Sequence, residues 1–124
     1  MCNNDLIFAY TRAQAIDDGV LVDVTETAKE VGITYPVALT RAVWCQYVEV
    51  PEGVSGQDES GRLWDLVLLL AVAIRRSRRG LEPFRYEHYV RNGSGRAKLV
   101  TLRAICGPDD DGTPCITVMT PAED

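Results

Sequence analysis

The period of the apolar pattern changes at Phe84, and that change bounds the fold more tightly than any other property of the chain. Before it, apolar residues recur at helical spacing between helix start and stop signals. After it, FRYEHYVR alternates apolar or aromatic with polar residues, and two further β-rich runs follow, KLVTLRAIC and CITVMT. NGSG at 92–95 and GPDDDGTP at 107–114 carry the chemistry of turns between them. Helices first and strands afterwards predict an α+β fold, with N-terminal helices packed on a C-terminal three-stranded antiparallel sheet. No repeat or linker interrupts the 124 residues, a length that buries one core, so residues 1–124 form a single domain.

Within the helical half, LIFAY at 6–10 reads as a short strand or extended arm. Thr11 and Gln14 match a capping box and Gly19 supplies a stop, giving a helix over 12–18. VLVDV at 20–24 is β-rich, but Asp23 with Glu26 makes a second capping-box match that predicts a helix ending at Gly32. Pro36 near a first helical position and the spacing of Leu39, Val43 and Tyr47 predict a helix from Val37 to Val48. PEGVSGQDESG at 51–61 is an acidic loop, and Leu63 to Ser77 a strongly apolar helix. Its longest apolar run, Leu66 to Ile74, falls well short of the ~20 residues that span a bilayer, so it reads as a core helix. Trp44 and Trp64, both in helical patterns, are expected as core anchors.

Charge divides the chain differently. Residues 1–62 carry 4 Lys/Arg against 10 Asp/Glu, whereas Arg75 to Arg103 holds 9 basic residues against Glu82 and Glu87. The acidic set Asp17, Asp18, Glu26, Glu30, Glu49, Glu52, Asp58 and Glu59 can imitate the phosphate charge of DNA and compete for a basic groove on another protein. The plain structural alternative is a solubilising surface. The basic cluster Arg75, Arg76, Arg78 and Arg79, extended by Arg85, can instead clamp phosphates, with Tyr86 and Tyr89 as stacking surfaces. Cations at a helix C-terminus also serve the macrodipole, and strand arginines are often the wet face of a sheet. The overall net charge of −5 argues against generic nucleic-acid binding.

Catalysis finds little footing. His88 is the sole histidine and no partner at usable spacing identifies it as an acid or base; it reads as a strand residue near a salt bridge. Asp109, Asp110 and Asp111 lack the alternating acids and distant glutamate of a calcium loop, and no phosphate loop, HExxH or GxSxG occurs. Cys2, Cys45, Cys106 and Cys115 contain no CxxC pair, so neither a metal site nor a cofactor is expected. No signal-peptide pattern opens the chain, which places the thiols in a reducing cytoplasm. Cys106 and Cys115 flank the last turn, and whether they pair stays open.

Residues 10–44, VPEGVSGQDESGRLWDLV at 50–67 and the ending LRAICGPDDDGTPCITVMTPAED resemble a family of small uncharacterised proteins carried by proteobacterial plasmids, phages and integrative elements. The resemblance spans nearly the whole chain except the arginine-rich segment around 75–96, and it brings no catalytic residues. It implies a counter-defence role in the bacterial host's cytoplasm: an anti-CRISPR or anti-restriction protein that binds stoichiometrically. The expected partner is a multi-subunit, Cascade-type CRISPR surveillance complex, held off target DNA by the acidic surface. The competing expectation is a nucleic-acid-binding accessory protein of the element, using Arg75 to Arg79. A third is a structural or toxin-neutralising partner protein.

Overall fold

A computed structural model describes residues 11–52, 58–76, 84–90, 92, 97–108 and 112–123. The elements in chain order are α1 (Arg12–Asp17), β1 (Leu21–Asp23), α2 (Thr25–Glu30), β2 (Val37–Thr40) and α3 (Arg41–Val43), which runs into a π-helical turn (Trp44–Val48). There follow α4 (Glu59–Arg76), β3 (Phe84–Val90), β4 (Lys98–Pro108) and β5 (Pro114–Met119). The class is α+β, but the sheet has five strands in the order β1-β2-β5-β4-β3. The three expected strands are present as the antiparallel run β3-β4-β5, and β2 joins β5 in parallel, which makes the sheet mixed.

The added strands come from the half expected to be helical. Val37, Ala38 and Leu39 are all buried, which one helix face cannot achieve for three consecutive residues but a central strand with both faces covered can. Helix formation is deferred to Thr40, whose hydroxyl accepts from the Val43 N–H at 3.3 Å, so the expected helix over Val37–Val48 is replaced by β2, α3 and the π turn. The capping box at Asp23 does not form either: its carboxylate accepts from the Thr25 N–H at 3.2 Å, and no side chain caps α2. At Thr11 the box closes, with the Gln14 N–H donating to the Thr11 hydroxyl at 3.0 Å and the Thr11 N–H to Gln14 Oε1 at 2.9 Å. The stops at Gly19 and Gly32 hold as well, with φ of 81° and 94°. The stretch 6–10 lies outside the described residues.

α4 begins at Glu59, inside the stretch expected as loop, because Asp58 Oδ1 accepts from the Gly61 N–H at 2.6 Å and so starts the helix. It lies along one face of the sheet, where Leu66, Val67, Leu70 and Ala71 join Val37, Leu39, Tyr86, Leu102, Ala104, Ile116 and Val118 in one core. Trp44 packs at the edge of that core, but Trp64 is 40% exposed. Residues 62, 66 and 70 define the buried stripe of α4, and position 64 points away from it, so Trp64 is not the expected core anchor.

β4 and β5 also settle the cysteine question. Cys106 lies opposite Ile116, on the core face, so Cys115 sits one residue along and on the reverse face, and the two thiols do not pair with each other. Burial raises the pKa of Cys106. The reverse face of β3 and β4 is open, with Arg85 opposite Arg103, Glu87 opposite Thr101, and Tyr89 opposite Leu99, the last two 66% and 49% exposed.

Candidate functional site

The strand order turns an asymmetry of sequence into one of space. β1 and β2, with Asp17, Asp18, Glu26 and Glu30 on or beside the neighbouring helices, lie at one side of the sheet, and β3 with Arg85 forms the other edge about 19 Å away. All eight carboxylates of the acidic set are exposed, and they stand on four segments of the chain. Asp17 and Asp18 stand at the carboxyl end of α1, and Glu26 and Glu30 lie on α2, where Glu26 meets Lys29 at 3.4 Å. Glu49 and Glu52 follow the π turn, and Asp58 and Glu59 open α4. The Arg62 Nε–H donates to the Val48 carbonyl at 3.0 Å and so ties the π turn, which Glu49 follows, to the first turn of α4.

The cations are gathered in part. Arg75 donates to the Val31 carbonyl at 3.2 Å and so closes the end of α2, a structural post rather than a free clamp. Arg76 and Arg85 are both exposed, and together with Leu69, Val72, Ala73, Tyr86 and Glu87 they line a groove of about 440 Å³ between α4 and β3. Arg78 and Arg79 lie outside the described residues. On the reverse face, two arginines directly opposite each other, Arg85 and Arg103, repel, a cost that an anionic ligand would remove. Arg103 is steadied by donating to the Glu123 carbonyl at 3.1 Å.

At the other end of the same helix is a polar recess that sequence spacing did not reveal. It measures about 200 Å³ and is lined by Tyr47, Arg62, Asp65, His88, Tyr89, Val90 and Ala97. Arg62 and His88, 7% and 6% exposed, are the buried polar residues of the described core. The Arg62 guanidinium also donates to Asn92 Oδ1 at 2.6 Å, and Asn92 in turn donates to the Gln46 carbonyl at 2.8 Å, so the π turn, α4 and the end of β3 share one network. Among the described residues His88 Nδ1 is the buried side-chain polar atom without a hydrogen-bond partner. Burial pushes the imidazole below its ordinary pKa, Asp65 pulls it back up and Arg62 opposes that pull, which favours a neutral ring.

From sequence His88 reads as a strand residue with no acid–base partner at usable spacing and Tyr47 as part of a helix face, and Arg62 and Asp65 carry no assignment. One sequence signal was available: Arg62, Leu66 and Leu70 share one helix face at i, i+4 and i+8, so an arginine sits on an otherwise apolar stripe. The π turn is another irregularity of the kind that collects at functional sites, and its wide bond from the Glu49 N–H to the Trp44 carbonyl is 2.8 Å. Among the described residues no group of three or more His, Cys, Asp or Glu is placed to hold a metal ion, and no helix is long and apolar enough to cross a membrane.

Comparison with curated proteins and with solved structures gives no match. The sequence profile of DUF6573, a family of unknown function, matches residues 1–124, and the chain belongs to that family.

Proposed function

We propose that this protein acts by stoichiometric binding, as a counter-defence protein that docks on a multi-subunit CRISPR surveillance complex and keeps target DNA from its basic groove. The observation that supports this reading is that Glu49, Glu52, Asp58 and Glu59 are all exposed, on two segments that the bond from Arg62 to Val48 ties to each other. Carboxylates fixed on a rigid element steer association with a basic groove and make it salt-sensitive. The test is association of the surveillance complex with Glu49→Gln/Glu52→Gln/Glu59→Gln, which leaves the Asp58 cap intact. Slower and at least tenfold weaker binding than wild type is expected, and unchanged binding would refute the role of this group.

A second reading has its own observation. The groove shared by Arg76 and Arg85, continued on the open face by Arg103 and Tyr89, suits the backbone and bases of a single strand. An Arg76→Glu/Arg85→Glu variant separates the two readings better than one at Arg75, whose side chain closes α2. Loss of nucleic-acid binding with inhibition intact, or the converse, assigns the function.

A further inference from the structure

The recess around His88, which shares Arg62 with the bond to Val48 and Tyr89 with the open face, carries an inference of its own. Four planar side chains, Tyr47, Arg62, His88 and Tyr89, line it beside one carboxylate, Asp65, which is exposed. Nδ1 of the buried imidazole has no partner, so the site contains an unmet hydrogen-bonding group. A volume of about 200 Å³ exceeds the ~30 Å³ of a single water several-fold and lies below the ~300–1,000 Å³ of drug-sized pockets, which suits one ring system.

The chemistry narrows the class of ligand. A small anion is disfavoured: Asp65 repels it, and Arg62 already directs its Nε–H to Val48 and an Nη2–H to Asn92. A divalent cation is disfavoured as well, because one carboxylate and one imidazole beside a guanidinium make a poor ligand set. A neutral planar group that offers N–H donors on one edge and π faces to the aromatic and guanidinium planes meets every feature of the site.

We propose that this recess binds a planar nitrogen heterocycle, an unstacked nucleobase, with Asp65 accepting from its N–H edge and the His88 ring, whose unpartnered Nδ1 reports on the site, lying against it. A carboxylate has two acceptor oxygens, so it pairs best with an edge of two adjacent donors, which among the four common bases is the N1–H and N2–H edge of guanine. The proposal does not rest on the protein-partner reading, because the ring is recognised without phosphate.

The experiment titrates uncharged nucleosides, guanosine, adenosine, cytidine and uridine, into the ¹⁵N-labelled full chain and follows the His88 ring nitrogens by NMR. A saturable displacement of the Nδ1 resonance is expected, strongest for guanosine. Asp65→Asn, at an exposed position that preserves the fold, should weaken guanosine about tenfold, the scale of one charge-assisted hydrogen bond. No His88 response to any nucleoside at millimolar concentration would overturn the proposal, leaving a hydrated recess. A guanosine response that Asp65→Asn leaves unchanged would overturn it too, by placing the ligand elsewhere. Arg76→Glu/Arg85→Glu should leave nucleoside binding unaltered even where it abolishes binding of a strand, so failure of the two sites is told apart.

Discussion

Replacing Arg62 by methionine tests how the recess and the fold depend on each other. Arg62 is buried on the core stripe of α4 and bridges to the π turn through Val48 and to Asn92 through a 2.6 Å bond. Methionine keeps much of the aliphatic stem and removes the guanidinium. Hydrogen bonds from a charged donor contribute ~1.5–3 kcal/mol each, but the two do not weigh equally once lost. The Asn92 side chain is exposed and can turn to water, whereas the Val48 carbonyl belongs to a fully buried residue and would lose its Arg62 partner, at ~1–3 kcal/mol. Removing a buried charge returns part of its desolvation cost, and what remains behind is neutral oxygen, so the change falls short of the ~3–5 kcal/mol of a broken buried ion pair. The net expectation is ~2 kcal/mol of destabilisation, out of the ~5–15 kcal/mol that hold a domain together.

The assay is urea unfolding followed by circular dichroism. With a slope of ~1–3 kcal/mol per M, the midpoint should fall by about 1 M at unchanged slope. Asn92→Ala alone should cost less than ~1 kcal/mol, and the double mutant should show a coupling of at least ~0.5 kcal/mol, as residues in direct contact do. A midpoint for Arg62→Met equal to or above wild type would refute the reasoning, because it would mean that the guanidinium costs more in desolvation than its bonds return.

Two further outcomes follow from named residues. His88 is held below the ordinary imidazole value of 6.5, chiefly by burial, with Asp65 and Arg62 on α4 acting in opposite directions, Tyr47 facing it from the π turn, and Glu87 and Tyr89 beside it on β3. Below that pH the unfolded chain takes up a proton that the native chain refuses, so stability should be full above it and fall with decreasing pH, by at most ~1.4 kcal/mol per pH unit, until the native pKa is reached. Urea midpoints across this range should flatten in His88→Gln, and a wild-type midpoint that rises as the pH drops would contradict the sign. Gly32→Ala forces a side chain into φ of 94° and places its Cβ 3.1 Å from Arg75 Nη2, so ~1–2 kcal/mol should be lost in the same assay. A neutral result would show that the turn after α2 relaxes freely.

What could be read from the chain depended on whether its determinants were local. Thr11 with Gln14, Gly19 and Gly32 act within a few residues of themselves, and the structure realises each of them as a start or a stop. The three C-terminal strands announced themselves by alternation, because the reverse face of β3 and β4 stays open and polar residues can occupy it. β2 carries no alternation, since both its faces are buried, and Val37-Ala38-Leu39 beside a proline matched a helix start equally well. Its strand state is decided by β5, whose pairing residue Ile116 lies 79 positions from Val37. The recess was hidden for the same reason: Tyr47, Arg62 and His88 come from three elements, and each alone resembles an ordinary core or surface residue. The acids and the cations were visible as sets, but only the strand order and the contacts of Arg62 and Arg75 decide which members stand together.

Exposed carboxylates around the start of α4 are the physical basis of the proposed role, and they bear on association rates and salt dependence more than on stability. Electrostatic steering toward a basic groove weakens as ionic strength rises, whereas an apolar contact through Tyr89 and Leu99 would be far less sensitive to salt. The most direct measurement is size-exclusion chromatography of the purified protein with CRISPR surveillance complexes, each with and without target DNA bound beforehand. The proposed function predicts stable co-elution that prebound target DNA prevents and that rising salt disrupts. Failure to co-elute with any complex, together with a mobility shift of free nucleic acid, would contradict it and assign the function to the groove of Arg76 and Arg85.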